Sequence, residues 1–136
     1  MAVMPERVQE LFTEVDDVFF STATAEGQPN MCIVGMKKLI DAETVYLSDQ
    51  FFKKTLANVQ ANPKVAVLIW KGREAYVLHG TARYVNEGAE FEELKSWVDE
   101  KFASMGMPIK AKGGVFVTVE SVYTSTPGGT AGDQIA

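Results

Sequence analysis

Ser48-Asp49-Gln50-Phe51-Phe52-Lys53-Lys54-Thr55-Leu56-Ala57-Asn58-Val59 is the stretch on which the reading of this chain turns. Thr44 to Ser48 reads as a strand that delivers the chain into a polar loop. Two lysines and a threonine then open a helix that runs to about Ala61. It stops at Asn62-Pro63, because proline disfavours helical geometry in the residue before it. Backbone N–H groups in a helix's first turn have no internal acceptor and carry partial positive charge, so they attract anions. Two ammonium groups and a hydroxyl at that turn would complete a small phosphate site. The plainer reading is a capped helix with solvated lysines.

Outward from this helix, hydrophobic periodicity lays out the other elements. Pro5 starts a helix whose Val8, Leu11, Phe12 and Val15 fall on one apolar face. Val18 to Thr24 is rich in β-branched and aromatic residues and ends at Glu26-Gly27, a turn signal, with Asn30 to Met36 as its hairpin partner. Thr44 to Ser48 is then the third strand, following the Asp41-Ala42 turn. Val65 to Trp70 is nearly all apolar, as in a strand covered on both faces. Ala75 to Val85 is a long strand with a bulge or close approach expected at Gly80. Phe91, Leu94, Val98, Phe102 and Met105 stripe an acidic helix, and Val115 to Val122 alternates as a sixth strand. The predicted fold is mostly β with inserted helices, a six-stranded antiparallel barrel built as a single domain over residues 1–136. Residues 1–17 form its N-terminal helix and 124–136 a glycine-rich tail, either flexible or ordered on a partner chain.

Composition removes several functional classes. With 136 residues and 46% hydrophobic content, the chain can build one real core. Met1 to Pro5 has no apolar run of signal-peptide length and no segment approaches a membrane span, so a cytoplasmic location without membrane attachment is expected. Cys32 is the only cysteine and His79 the only histidine, which excludes an internal disulfide and leaves little for a zinc site or catalytic triad.

The net charge of −5 argues against nucleic acid, whose binding is driven by cationic neutralisation of phosphates. Charge is unevenly distributed, however. Between Cys32 and Glu74, seven cations (Lys37, Lys38, Lys53, Lys54, Lys64, Lys71, Arg73) face four acids (Asp41, Glu43, Asp49, Glu74). An acidic chain with a basic middle suits a small anionic ligand better than a polyanion.

The element order around Lys54-Thr55-x-x-Asn58-Val59, followed by Asn62-Pro63-x-Val65 and an apolar strand, resembles the FMN-binding split-barrel superfamily. That superfamily includes the pyridoxamine 5'-phosphate oxidases and small FMN-binding proteins, and the likeness runs from Val18 to Val122. It implies a split β-barrel homodimer with FMN at two equivalent interface sites. By this resemblance Lys54 and Thr55, helped by Lys53, fall on the phosphate-binding pair. Cys32, Ile33, Val34 and Gly35 fall on the strand that lies against the isoalloxazine ring, and Ser48, Asp49 and Gln50 on the loop bordering ring and ribityl chain. Asn58 matches a family position and is read as a support for the loop. The residues agree with these placements: a flat ring wants an apolar slot with a few amide groups, and Gly35 permits close approach.

The implied function is an oxidoreductase or electron carrier served by a redox partner or a nicotinamide nucleotide. A non-catalytic flavin store and a deazaflavin-dependent reductase are the alternatives. True pyridoxamine-phosphate oxidases are longer and end in an Arg- and His-bearing segment that binds substrate phosphate. No Arg or His follows Arg83 here, so that activity is not expected. Individually, Cys32 reads first as a small core hydrophobe, His79 as a structural strand residue, and Asp49 either as a turn former or as a charge near the flavin. No pair of residues stands out as catalytic acid and base.

Overall fold

The computed structural model describes residues 1–136. Its elements in chain order are α1 (Glu6–Glu14), β1 (Val18–Ala23), β2 (Pro29–Val34), β3 (Lys37–Asp41), β4 (Thr44–Asp49), α2 (Lys54–Ala61), β5 (Lys64–Lys71), β6 (Glu74–Val85), α3 (Ala89–Ser104) and β7 (Gly113–Thr124). All seven strands belong to one antiparallel sheet in the order β2-β1-β5-β6-β7-β4-β3.

The fold class is the one expected, with seven strands in place of six. The predicted strand Asn30 to Met36 stops short at Val34 as β2, and Lys37–Asp41, to which the sequence reading gave no strand, forms a separate one that pairs with β4. This division explains the barrel. β2 and β3 occupy opposite edges of the sheet, yet only Gly35 and Met36 connect them. Three Cα–Cα steps span roughly 11 Å at most, so the sheet must curl until its edges meet. The Ser48 N–H donates to the Met36 carbonyl at 2.9 Å at this seam.

Local chemistry sets the other boundaries as predicted. Asn62 ends α2 in extended conformation just before Pro63. The β6–β7 register shifts between His79 and Gly80. A Cβ at Gly80 would meet the Thr118 carbonyl oxygen and lie 2.7 Å from Val117 Cγ1, so the close approach there requires glycine.

One main core of 21 buried residues fills the curled sheet and is closed by α1 through Val8, Leu11 and Phe12. α1 is tied down from outside as well, where Arg7 meets Glu74 at 2.6 Å and Glu14 meets Lys71 at 3.6 Å. The glycine-rich tail returns along β7 of its own chain: the Thr124 N–H donates to Asp133 and the Ile135 N–H to Val122. No helix is long and apolar enough to cross a membrane.

Candidate functional site

The seam between β2 and β3 opens into a cavity of about 600 Å³. One wall is Cys32, Ile33, Val34, Gly35 and Met36; another is the end of β4 and the loop after it, through Ser48, Gln50, Phe51 and Phe52. Lys101, Phe102, Met105 and Met107, from the end of α3 and the chain after it, form the third, and Asp16 completes the rim. The lining is mainly apolar with a few polar groups, the composition of a site for a flat heterocycle. Of the residues that the resemblance implies at the cofactor, Cys32, Ile33, Val34, Gly35, Ser48 and Gln50 line this single cavity.

Asp49 does not join them. Its side chain is completely buried and turned inward: Oδ1 accepts the Phe52 N–H at 2.9 Å, and Oδ2 accepts the Tyr84 hydroxyl at 2.6 Å. Of the two readings given for this residue, the geometry is that of a turn former. Lys112 reinforces it, with Nζ 3.8 Å from Oδ1 and a hydrogen bond to the Phe52 carbonyl at 3.3 Å. The result is a clamped loop that presents Gln50 and Phe51 outward, and the Gln50 amide also donates to the Ser48 hydroxyl.

Lys53, Lys54 and Thr55 stand beside this cavity and are not among its lining residues. Phe52 lines it, and α2 begins two residues later. The N-cap position is Lys53, and no side chain caps the helix. The N–H groups of Lys54, Thr55 and Leu56 donate to no group of the protein, and neither lysine has a carboxylate within 4.0 Å. Three unfilled donors and two unpaired ammonium groups are what a phosphate group requires. The Thr55 hydroxyl points elsewhere: it is buried and donates to Cys32 Sγ at 3.4 Å, so only its backbone N–H remains free.

Burial pushes the Cys32 thiol up from its ordinary value, the Thr55 hydrogen bond opposes this, and the Asp49 charge adds to it. Cys32 thus stays a neutral thiol packed against the core, with little nucleophilic character. Asn58, read as a support residue, is buried and donates to the Thr22 hydroxyl at 3.0 Å, joining α2 to β1. His79 is exposed on β6, its ring centre 4.6 Å from that of Tyr123, and is not among the residues lining the cavity.

The α3 contribution was missed from sequence because Phe102 and Met105 continue an apolar stripe and so read as core. Phe91, Leu94 and Val98 are indeed buried, but Met105 is 55% exposed and faces the cavity. The signal was present in Met105-Gly106-Met107-Pro108, an apolar pair of methionines at a helix exit where polar residues would be ordinary.

A second exposed apolar feature lies on the outer side of the sheet. Ile33, Phe19, Leu68, Val77 and Tyr123 are register partners in turn across β2, β1, β5, β6 and β7. Trp70 packs beside this row, its ring 6.2 Å from that of Phe19. Ile33 is 64% and Trp70 51% exposed in the single chain. Ile33 belongs both to this row and to the cavity wall, so the two features are continuous.

Residues 4–125 match the family described as Pyridoxamine 5'-phosphate oxidase. An uncharacterized protein of Methanocaldococcus jannaschii is 35% identical over 134 residues, covering 96% of this chain and 86% of that protein. Among solved structures, HupZ of Group A Streptococcus superposes with a TM-score of 0.77 at 24% identity, over 95% of this chain and 99% of that one. An FMN-binding protein of Syntrophomonas wolfei gives 0.71 at 13% identity, over 84% and 80%. At such identities the structural likenesses establish the fold alone.

Proposed function

The chain belongs to the pyridoxamine 5'-phosphate oxidase family, and from that premise we propose that it is an FMN-binding homodimer acting as an oxidoreductase or electron carrier. The observation that carries this reading is the adjacency of two complementary features. An apolar cavity of about 600 Å³ adjoins a helix start with unfilled N–H donors and two unpaired lysines. Lys53, Lys54 and the backbone of Thr55 would hold the phosphate. Cys32 to Gly35 would lie against the ring, with Ser48 and Gln50 at its polar edge. Asp49 would act through the loop it clamps, without touching the cofactor. When bound, the flavin supplies the capacity to take up hydride or single electrons.

The dimer reading rests on the apolar row from Ile33 to Tyr123. A contiguous apolar face of this kind is rarely left open to water. Because Ile33 belongs to both the row and the cavity wall, a second copy seated on this face would border the cofactor.

Purified protein tests the proposal directly. Flavin absorption, with FMN identified by mass spectrometry of the released ligand and restored by titration of stripped protein, is the expected result. Failure to bind added FMN would overturn it. Stopped-flow mixing of loaded protein with NADH or NADPH then separates a reductase from a store.

A further inference from the structure

Asp49 is the only buried charged residue of the chain, with 0% of its surface exposed. The charges on or beside the cavity rim, Asp16, Lys53, Lys54 and Lys101, are all exposed to water. We propose that Asp49 sets the reduction potential of the redox group held in the cavity, acting through the wall as a fixed negative charge that keeps this potential low. The inference rests on the flavin reading for what that group is.

Position is the first argument. Ser48 and Gln50, the chain neighbours of Asp49, both line the cavity, so Asp49 lies one Cα step, about 3.8 Å, from that wall. Its oxygens accept the Phe52 N–H at 2.9 Å and the Tyr84 hydroxyl at 2.6 Å. Bonds donated to a carboxylate favour its ionised form, so they hold the charge as well as the side chain. Gly113 leaves room for this arrangement, since a Cβ there would overlap the Tyr84 hydroxyl. Lys112 Nζ stands 3.8 Å from Oδ1 but is exposed, so water screens the charge with which it opposes Asp49.

Magnitude is the second. At the effective dielectric of about 20 that describes charge pairs in proteins, a unit charge roughly 12 Å away changes an equilibrium by about tenfold. The protein's own groups register this field. Burial is the main cause that raises the Cys32 thiol, on the cavity wall, and the Tyr46 phenol, on the opposite face of β4 from Asp49; the Asp49 charge adds to both. An occupant of the cavity that gains negative charge on reduction meets the same opposition. A flavin that takes up two electrons and one proton gains one such charge, and protein charge nearby tunes that step.

Spectroelectrochemical titration of FMN-saturated protein separates this role from the clamping of the loop. Asp49→Asn keeps an acceptor for the Phe52 N–H and loses the charge. It should favour the reduced form by about tenfold, a rise of about 30 mV for a two-electron couple. Lys112→Met removes the opposing charge and should shift the potential downward, by less. Both substitutions loosen the same loop, so a purely structural role moves the two potentials in one direction or leaves both unchanged, and either result would overturn the inference. Should Asp49→Asn fail to fold, the sign of the shift in Lys112→Met, an exposed position, decides alone. Flavin-free protein gives a second readout, because Cys32 is the only cysteine and its thiolate absorbance follows its titration. The thiol should titrate lower in Asp49→Asn and higher in Lys112→Met. If neither variant moves it, the field does not reach the wall and the inference falls. If both move it while the wild type never binds FMN, the flavin reading falls and the field at the wall is upheld.

Discussion

The Tyr84 hydroxyl on β6 donates to Asp49 Oδ2 at 2.6 Å, joining the middle of the barrel wall to the loop that borders the main cavity. Asp49 is wholly buried, and its other oxygen accepts the Phe52 N–H. A buried carboxylate is tolerated only where hydrogen bonds replace the water it has lost. Tyr84→Phe removes one of these bonds and leaves the charge in place. The expected loss is about 1.5–3 kcal/mol, the range for hydrogen bonds to charged groups. Urea unfolding measures this, and the same variant should weaken ligand binding because Gln50 and Phe51 lose their fixed presentation. A stability change near zero would mean that the clamp is not formed.

Tyr46 offers the opposite experiment. Its ring is fully buried against Phe116, 4.9 Å between centroids, and its hydroxyl is the one buried side-chain polar atom without a hydrogen-bond partner. Burial, with the nearby Asp49 charge, pushes this phenol up to about 12. Tyr46→Phe removes the unsatisfied hydroxyl and keeps the ring, so it should stabilise the fold by up to about 1–3 kcal/mol. Two tyrosine-to-phenylalanine changes in the same region should therefore have opposite signs. Urea midpoints for both variants decide the matter.

What the sequence made legible and what it hid divide along physical lines. Local signals were read correctly where one residue's covalent geometry decides the outcome: Pro63 ending α2, and Gly80 marking the β6 bulge. The seventh strand, Lys37–Asp41, was hidden because Gly35-Met36, which joins it to β2, is no conventional turn pair. The two strands it separates then pair at opposite edges of the sheet, a relationship no local window contains. The cavity's α3 wall was hidden for a related reason. A helical stripe reports that residues share a face, but not that the face passes from core to cavity between Val98 and Met105. Asp49 and Thr55 were expected at the cofactor by resemblance; the sequence could not show that their side chains point inward.

The helix-start reading is tested by comparing two ligands. Lys53→Ala with Lys54→Ala removes both unpaired ammonium groups at the start of α2 and leaves the apolar wall untouched. FMN affinity should fall by about 2–4 kcal/mol, the scale of two charge-assisted hydrogen bonds. Riboflavin, which lacks the phosphate, should lose little. Parallel titrations by flavin fluorescence quenching measure both, and equal losses would place the phosphate elsewhere.

Acid should loosen the attachment of α1. The Arg7 guanidinium donates to Glu74 at 2.6 and 2.9 Å, and Tyr76 adds a third bond at 2.7 Å. Led by the Arg7 bond, these hold the Glu74 carboxyl down at about 2, against an ordinary 4.5. A depressed carboxylate contributes stability that is present above its unfolded value and lost as pH falls through the folded one. The contribution is therefore full above about 4.5 and disappears towards 2. The pair is exposed, so the effect is small and screened by salt. Arg7→Gln should unfold at lower urea than wild type at pH 7, and the gap should close as pH falls towards 2. A gap that persists at pH 2 would mean Arg7 acts through something other than this carboxylate.

The outer apolar row predicts its own disruption. Ile33 is paired with Phe19 in register, exposed in the single chain, and shared between the row and the cavity wall. Ile33→Asp places a charge where a second copy would exclude water, and an unpaired charge in such a contact costs far more than it does in solvent. The side chain is exposed in the monomer, so the fold itself should survive, with an unfolding midpoint close to wild type. Sedimentation equilibrium should then give the mass of two chains for wild type and one for the variant. FMN affinity should fall along with dimerisation, because the cavity loses the partner that borders it. Ala66→Asp supplies the control on the same face. Ala66 is the register partner of Ser21 and lies one row away from the cavity, so it should break the dimer without altering any lining residue. Loss of FMN binding in both variants ties the site to the dimer. Loss in Ile33→Asp alone confines the effect to the wall.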